Sequence, residues 1–487
     1  MLYILVTGTL PIALQATFNG VSGGGGTALA AALLLGFIYD ILRIAPLIVL
    51  SRHPAGLLHP ISITIVLWPT LASLPATIDS FGGYAGLLSG APLSAPYFTA
   101  LAWLNGGAVW QEMATYKSLE ILSVLSIFAG FAFVPSRAGR PITFFSDIDT
   151  LRLRRILIAI ILANFIAVAA FIEFRGGLVA HIAELSYGRF RALAGLGPLL
   201  VLFDSGFLCL LLWISFRPQD AKSPLFLILL PLVTAQQFIT AGARSEALLV
   251  LILAGLAWAI RSARIPWRLA VIMLPIAFLS FGALSIVRSA GLTNSTAAQA
   301  VQSSSFSDLM EGSQEEFEVR QSISGSVPVV ADAGRTTGLM WGYTYTGAVF
   351  AMVPRSLWEG KPRGPGSIYA QRFLGEVREG TAVPIGPVAE AFWNFHVPGV
   401  ILIFGLYGYL LKRVYEFYAL NRKNGLVALL FLLFATKFTV STDGMVAFQQ
   451  SLLTLALIVG ITLPFLPRPR KAGPQSGHAP SKIQVSQ

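Results

Sequence analysis

Apolar residues come in long runs along this chain, separated by short stretches that carry Arg, Lys, Gly or Pro. A helix needs about 20 such residues to cross roughly 30 Å of hydrocarbon, so each run is a candidate membrane span. Runs fall at residues 2–18, 28–50, 57–78, 118–134, 156–174, 195–216, 225–241, 245–260, 268–288, 397–411, 425–441 and 446–465. The pattern predicts an all-α polytopic membrane protein of about 12 transmembrane helices, within a range of about 11 to 14, because the runs near 118, 245 and 397 are short enough to tilt or to be partly re-entrant. It has one long extracytoplasmic loop, residues 289–383, containing short helices. Residues 1–465 form a single transmembrane domain, and the polar stretch 466–487 is a disordered tail. Residues 2–18 lack a positive leading segment and read as a first span rather than a cleaved signal.

Composition removes the soluble alternatives. Of 487 residues, 55% are hydrophobic and only 12% charged, about half the charged share of a soluble domain. The net charge of +11 points to membrane phosphates or an anionic substrate, not to nucleic acid, given the hydropathy. Cys209 is the only cysteine and lies in an apolar run, which excludes disulfide frameworks and thiolate metal clusters. One set of loops holds Arg52, Arg137, Arg140, Arg152, Arg154, Arg155, Arg217, Lys222, Arg261, Arg264, Arg268, Lys412, Arg413, Arg422 and Lys423. Twelve alternating spans place these on one side with both termini, and the positive-inside rule makes that side cytoplasmic.

The opposite side still carries Arg175, Arg189, Arg191, Arg244, Arg288, Arg320, Arg335, Arg355, Arg363, Arg372 and Arg378. An arginine fork binds phosphate in a bidentate manner, so as a group these suit an anionic ligand, with headgroup contact as the alternative for any single one. Three motifs stand out. In Ala241-Gly242-Ala243-Arg244-Ser245-Glu246, Gly and Ser suit a helical hairpin turn, whereas Arg244 opposes the dipole of the helix it begins and, with the free N–H groups there, makes an anion site. In Val353-Pro354-Arg355-Ser356-Leu357-Trp358-Glu359-Gly360-Lys361-Pro362-Arg363, Trp358 and Leu357 read as an interfacial anchor that sets Arg355, Lys361 and Arg363 at headgroup height. In Ile385-Gly386-Pro387-Val388-Ala389-Glu390-Ala391-Phe392-Trp393-Asn394-Phe395-His396-Val397-Pro398-Gly399, Glu390 is a carboxylate at the edge of a membrane helix, a candidate proton acceptor unless an outer arginine pairs with it. His396 is a second candidate for the same chemistry. Pro398 disfavours helix at Val397, so a short re-entrant helix ends near His396.

In their order along the chain these motifs resemble the oligosaccharide repeat-unit polymerases of the Wzy (O-antigen polymerase) type, over roughly residues 118–465. Arg175-Gly176-Gly177-Leu178, with Arg189 and Arg191 after it, resembles the family's loop ahead of a span. There are two departures: His396 stands where many relatives have glycine, and Ser441-Thr442-Asp443-Gly444 lacks the arginine often found before an Asp near that span. The resemblance implies metal-independent glycosyl transfer without a cofactor at the outer face of a bacterial inner membrane. An acceptor sugar hydroxyl attacks the anomeric carbon of a polyprenyl-diphosphate-linked glycan. Arg244, Arg355, Lys361 and Arg363 bind the diphosphate, with Arg189 and Arg191 next and Arg288 weaker, and Glu390 or His396 takes the proton. Partners would be the lipid-linked donor and acceptor, membrane lipids, and a chain-length regulator and flippase of the same pathway. An O-antigen ligase, which uses the same donor, and a flippase or transporter are the alternatives.

Other patterns carry less. Asp147-Ile148-Asp149 matches the metal-binding pair of nucleotide-sugar transferases, but its loop is too short for the domain such a site needs. Asp40 with Arg43, and Lys117 with Glu120, have the spacing of structural pairs on one helix face. No Walker, HExxH or clustered Cys/His motif occurs, so no ATP or metal site is expected.

Overall fold

In lipid a chain satisfies its backbone N–H and C=O groups most readily by bonding within each apolar run, which selects helix. The computed structural model describes residues 26–53, 55–67, 108–136, 139–142, 148–178, 180–181, 184–185, 196–241, 244–263, 322–335, 338–353, 357–358, 360–373 and 385–466. Among them all regular structure is helical. Five helices, Thr27–Val49, Trp110–Ala132, Thr150–Phe174, Pro387–Leu420 and Thr442–Phe465, are long and apolar enough to cross a membrane. The protein is a helical membrane protein.

The elements are α1 (Gly26–Val49), α2 (Ala108–Ala132), α3 (Thr150–Phe174), α4 (Gly197–Phe203), α5 (Ser205–Phe216), α6 (Pro224–Ala241), α7 (Arg244–Ser262), α8 (Ser322–Arg335), α9 (Tyr343–Val349), α10 (Pro365–Phe373), α11 (Pro387–Leu420), α12 (Gly425–Thr436) and α13 (Thr442–Thr462). The expected spans at 2–18 and 268–288, most of the second half of 57–78, and the tail lie outside the described residues. Several boundaries differ from the sequence expectation. The run at 118–134 belongs to a helix that starts at Ala108, because Trp110, Met113 and Tyr116 are buried against its neighbours. The run at 195–216 is two helices parted at Asp204. The run at 397–411 is the middle of a 34-residue helix, and the run at 425–441 stops being helical after Thr436.

Two apolar clusters form the core. One joins α1, α2, α8, α10 and most of α11, with Phe434 of α12; the other joins α3, α5, α6, α7, α12 and α13, and Val414 and Phe448 pack against both. The closest approach is between α2 and α11. A Cβ at Gly130 would lie on the backbone oxygen of Gly405, and one at Gly408 would come within 2.2 Å of Ile127 O; small residues let membrane helices meet backbone to backbone. Part of the expected long loop also folds inward. In α8, Val327, Val329, Val330 and Ala331 are buried in the first cluster, since a Val-Pro-Val-Val-Ala stretch has more to gain from packing than from water.

Breaks at membrane depth are re-satisfied by side chains. Where α4 ends, Asn164 Nδ2 donates to Leu202 O (2.9 Å) and Phe203 O (3.3 Å), and Gln236 and Gln237 also donate to Phe203 O (3.2 and 3.4 Å). At one end of the bundle Asp220 accepts from Trp213 Nε1 (2.9 Å) and Arg217 Nε (2.8 Å) and faces Arg154 Nη1 at 3.4 Å. Nearby, Arg261 donates to the carbonyls of Arg422 and Lys423, closing the end of α11. Asp149 caps α3 by accepting from Leu151 N and Arg152 N. Lys117 pairs with Glu120 at 2.6 Å. Asp40 and Arg43 are both buried, and Arg43 Nε donates to Ile65 O at 3.3 Å.

Candidate functional site

At the end of the bundle opposite Asp220, α11 begins with a Pro at its first turn and is interrupted at Phe395 (φ −140°, ψ 15°) and His396 (φ 57°, ψ −154°). The break falls where Pro398 leads the sequence to place it. Residues 387–394 form a half-helix, and its last carbonyls need new donors. Met340 N supplies Trp393 O (2.9 Å) and Trp341 N supplies Asn394 O (3.1 Å), which ties the segment leading into α9 to the break. Gly399 is required there, because a Cβ would lie 2.6 Å from Phe395 Cβ and 2.7 Å from Ala391 O. The positive φ at His396 is a conformation that glycine would adopt without steric cost.

The half-helix carries Glu390 inward. It is 1% exposed, among Ala389, Ala391 and the first turns of α9 and α13. Oε1 accepts from Thr344 Oγ1 at 2.7 Å and from Thr442 Oγ1; Oε2 accepts from Thr442 N at 3.0 Å. Thr442 Oγ1 also lies 3.1 Å from Thr344 O. Asn394, one turn on from Glu390, donates from Nδ2 to Thr344 Oγ1 and to Glu390 O, both at 2.8 Å. Tyr345 OH donates to Val440 O at 3.1 Å. The carboxylate thus joins α9, α11 and α13 through hydroxyl and amide donors, and among the described residues no cation bonds to it. The expected competing arrangement, an ion pair with an outer arginine, does not occur among the described residues, which leave out Arg189, Arg191, Arg288 and Arg355.

Counting protons shows what this cluster can do. With Glu390 ionised, the Thr442 hydroxyl donates to Oε1. With Glu390 neutral, Oε1 donates to Thr442 Oγ1 and the Thr442 hydroxyl turns to Thr344 O. Glu390, Thr344 and Thr442 each keep a partner in both states, so the carboxyl can change its protonation state with no rearrangement beyond hydroxyl rotation. A proton acceptor needs that property.

The other expected residues are distributed unevenly. His396 sits at the break, half-buried, its ring 4.3 Å from that of Phe392. Arg244 is the first residue of α7, whose start lies at this end. Lys361 Nζ donates to Ala351 O (2.8 Å) and Val353 O (2.9 Å), closing the loop after α9. Arg363 is exposed two residues further on. Beside this loop Trp358 meets Phe350 edge to face at 5.4 Å, and Leu357 is exposed. Arg189, Arg191, Arg288 and Arg355 lie outside the described residues.

Sequence reasoning missed Thr344, Thr442 and Asn394 as partners of Glu390. Asn394 was legible as the i+4 neighbour of a membrane carboxylate, and Ser441 as an N-cap, which it is, accepting from Gly444 N at 3.2 Å. Thr344 is 46 residues from Glu390 and Thr442 is 52, and no local pattern joins them.

Compared with protein-family models, curated proteins and solved structures, the chain matches none of them. Fold and site together define a helical membrane protein with a buried, hydroxyl-held carboxylate at a helix break.

Proposed function

We propose that this protein polymerises polyprenyl-diphosphate-linked oligosaccharide repeat units into a surface polysaccharide at the outer face of a bacterial inner membrane. The observation that carries the reading is Glu390. An ionisable group kept inside a membrane bundle, here with no counter-cation among the described residues, is costly and marks function by default. The basic loops belong on the cytoplasmic side, with both termini, so the Glu390 end faces outward. About twelve spans complete the bundle.

In the reaction an acceptor sugar hydroxyl forms a bond to the anomeric carbon of the donor glycan while the bond from that carbon to the diphosphate oxygen breaks. The acceptor's proton passes to Glu390 through the hydroxyls of Thr344 and Thr442, which cover the carboxylate. The leaving polyprenyl diphosphate keeps the electron pair and its charge. Arginines at this end, Arg244 and Arg363 with Arg355, Arg189, Arg191 and Arg288 as further candidates, stabilise that charge in place of a metal. Lys361 shapes the loop that carries two of them. His396 serves through the backbone break it occupies.

Lipids extracted from a strain lacking the gene test the reading. Single repeat units on the polyprenyl carrier are expected. Long polymer on the carrier would assign ligation instead, and a carrier bearing no sugar would sink both. Reporter fusions at Gln314 and Gln475 are expected in opposite compartments, and the same compartment for both would overturn the orientation.

A further inference from the structure

Lys437 lies where α12 stops, at the end of the bundle that holds Glu390. The 12-residue helix α12 rises only about 18 Å at 1.5 Å per residue, well short of a roughly 30 Å hydrocarbon layer. The chain therefore leaves helical geometry inside the bundle, and residues 437–441 lead directly to Thr442, whose N–H holds Glu390. The flanking residues Ala435, Thr436 and Val440 are buried. A cation has been placed on an apolar run beside the carboxylate site.

Its surroundings do not explain it as packing. Two of the last carbonyls of α12 are bonded to groups other than the ammonium: Leu433 O accepts Lys437 N (2.8 Å) and Phe438 N (3.3 Å), and Ala435 O accepts Thr64 Oγ1 (3.3 Å). Among the described residues the Lys437 side-chain nitrogen lies over the Phe207 ring at 5.2 Å and makes no hydrogen bond or ion pair. The helix C-terminus and the ring face make a positive charge tolerable here. Neither uses the three N–H donors. Phe207 belongs to the first turn of α5, and α5, α7 and α12 are mutually in contact. Gly425 at the start of α12 lies against Ser215 and Phe216 at the end of α5, and Arg261 at the end of α7 reaches the carbonyls of Arg422 and Lys423, so α5 and α7 run antiparallel to α12 and both start toward the end of the bundle where Lys437 stands.

We propose that Lys437 is a further binding residue of this site, donating to the diphosphate of a prenyl-diphosphate-linked substrate between the start of α7 and Glu390. The inference rests on the glycosyl-transfer reading above. A diphosphate brings the acceptors that the ammonium lacks, and the position puts the cation on the leaving group while Glu390 serves the attacking hydroxyl.

The test is binding of farnesyl diphosphate to the purified full chain in detergent, by calorimetry, with farnesol as an uncharged control. Lys437→Met keeps the length and removes the charge from apolar surroundings, so it is expected to fold at least as well as the parent. It should weaken farnesyl diphosphate binding by about tenfold or more, the scale of one charge-assisted contact, and leave farnesol binding unchanged; Lys437→Arg should restore most of the affinity. Equal affinity for the diphosphate in the parent and Lys437→Met overturns the inference and leaves the reading intact. No binding of farnesyl diphosphate by the parent overturns the reading and the inference with it. If Lys437→Met does not fold, Lys437→Gln carries the same comparison.

Discussion

Replacing Glu390 by glutamine exchanges one carboxylate oxygen for an amide and leaves the volume unchanged, while alanine removes the whole group. Three donors converge on the carboxylate: Thr344 Oγ1, Thr442 Oγ1 and Thr442 N. With the glutamine carbonyl on Thr442 N and its amide directed at the two hydroxyls, Thr442 can turn to Thr344 O, the arrangement of neutral Glu390. The cost to folding should be within about 1 kcal/mol, one ordinary hydrogen bond. Alanine strands the Thr442 amide and the Thr344 hydroxyl, the Thr442 hydroxyl keeping Thr344 O, at a site that is 1% exposed, at about 1–3 kcal/mol for each group left unpaired, and it also opens a cavity. Thermal unfolding in detergent should therefore place Glu390→Gln beside the parent and Glu390→Ala well below it. Polymer formation should be lost in both, because the amide cannot take a proton. Parental polymer levels in Glu390→Gln would refute the role of proton acceptor. A glutamine variant as unstable as the alanine variant would refute the proton count.

Three further outcomes follow from the geometry. His396 holds φ 57°, ψ −154°, a conformation costing a non-glycine residue about 1–3 kcal/mol, so His396→Gly should melt above His396→Ala, both having lost the ring; the reverse order would show that the break carries no strain. Gly408→Ala should lower stability by about 1–3 kcal/mol, the range of overpacking, because its Cβ would meet Ile127 O at 2.2 Å, while Gly255→Ala, with nothing within 4 Å, should be neutral or stabilising when the two are melted side by side. At Asp220 burial pushes the carboxyl pKa up, but hydrogen bonds from Arg217 and Trp213 and the charges of Arg217 and Arg154 outweigh it and hold the pKa below its ordinary value. A depressed carboxyl stabilises the fold fully above its unfolded value, about 3.9, and loses that contribution as pH falls through the folded value. The melting deficit of Asp220→Asn should thus be constant between pH 5 and 8 and shrink below about pH 4; a deficit independent of pH would assign the role to shape alone.

The sequence by itself determined that this is a helical membrane protein. The runs around 28–50, 156–174 and 446–465 reappear as α1, α3 and α13 within a few residues, because a helix in lipid closes its own hydrogen bonds and depends little on what lies beside it. It also determined the break before Pro398 and the pairing of Lys117 with Glu120, since both arise from neighbours within one turn. Helix lengths set by packing were not legible. Ala108 to Lys117 is helical because α1 and α8 cover it, and α12 ends at Thr436, where Thr64 bonds the carbonyl of Ala435. Only the tertiary structure decided what surrounds Glu390. An arginine partner and a ring of hydroxyls are equally compatible with an isolated Pro-Val-Ala-Glu motif, and the choice lies with Thr344 and Thr442, brought in from two other helices. Contacts across such distances are fixed by how helices stack, through glycines such as Gly130 and Gly408 that set how closely α2 and α11 approach, and stacking leaves no periodic trace in the sequence.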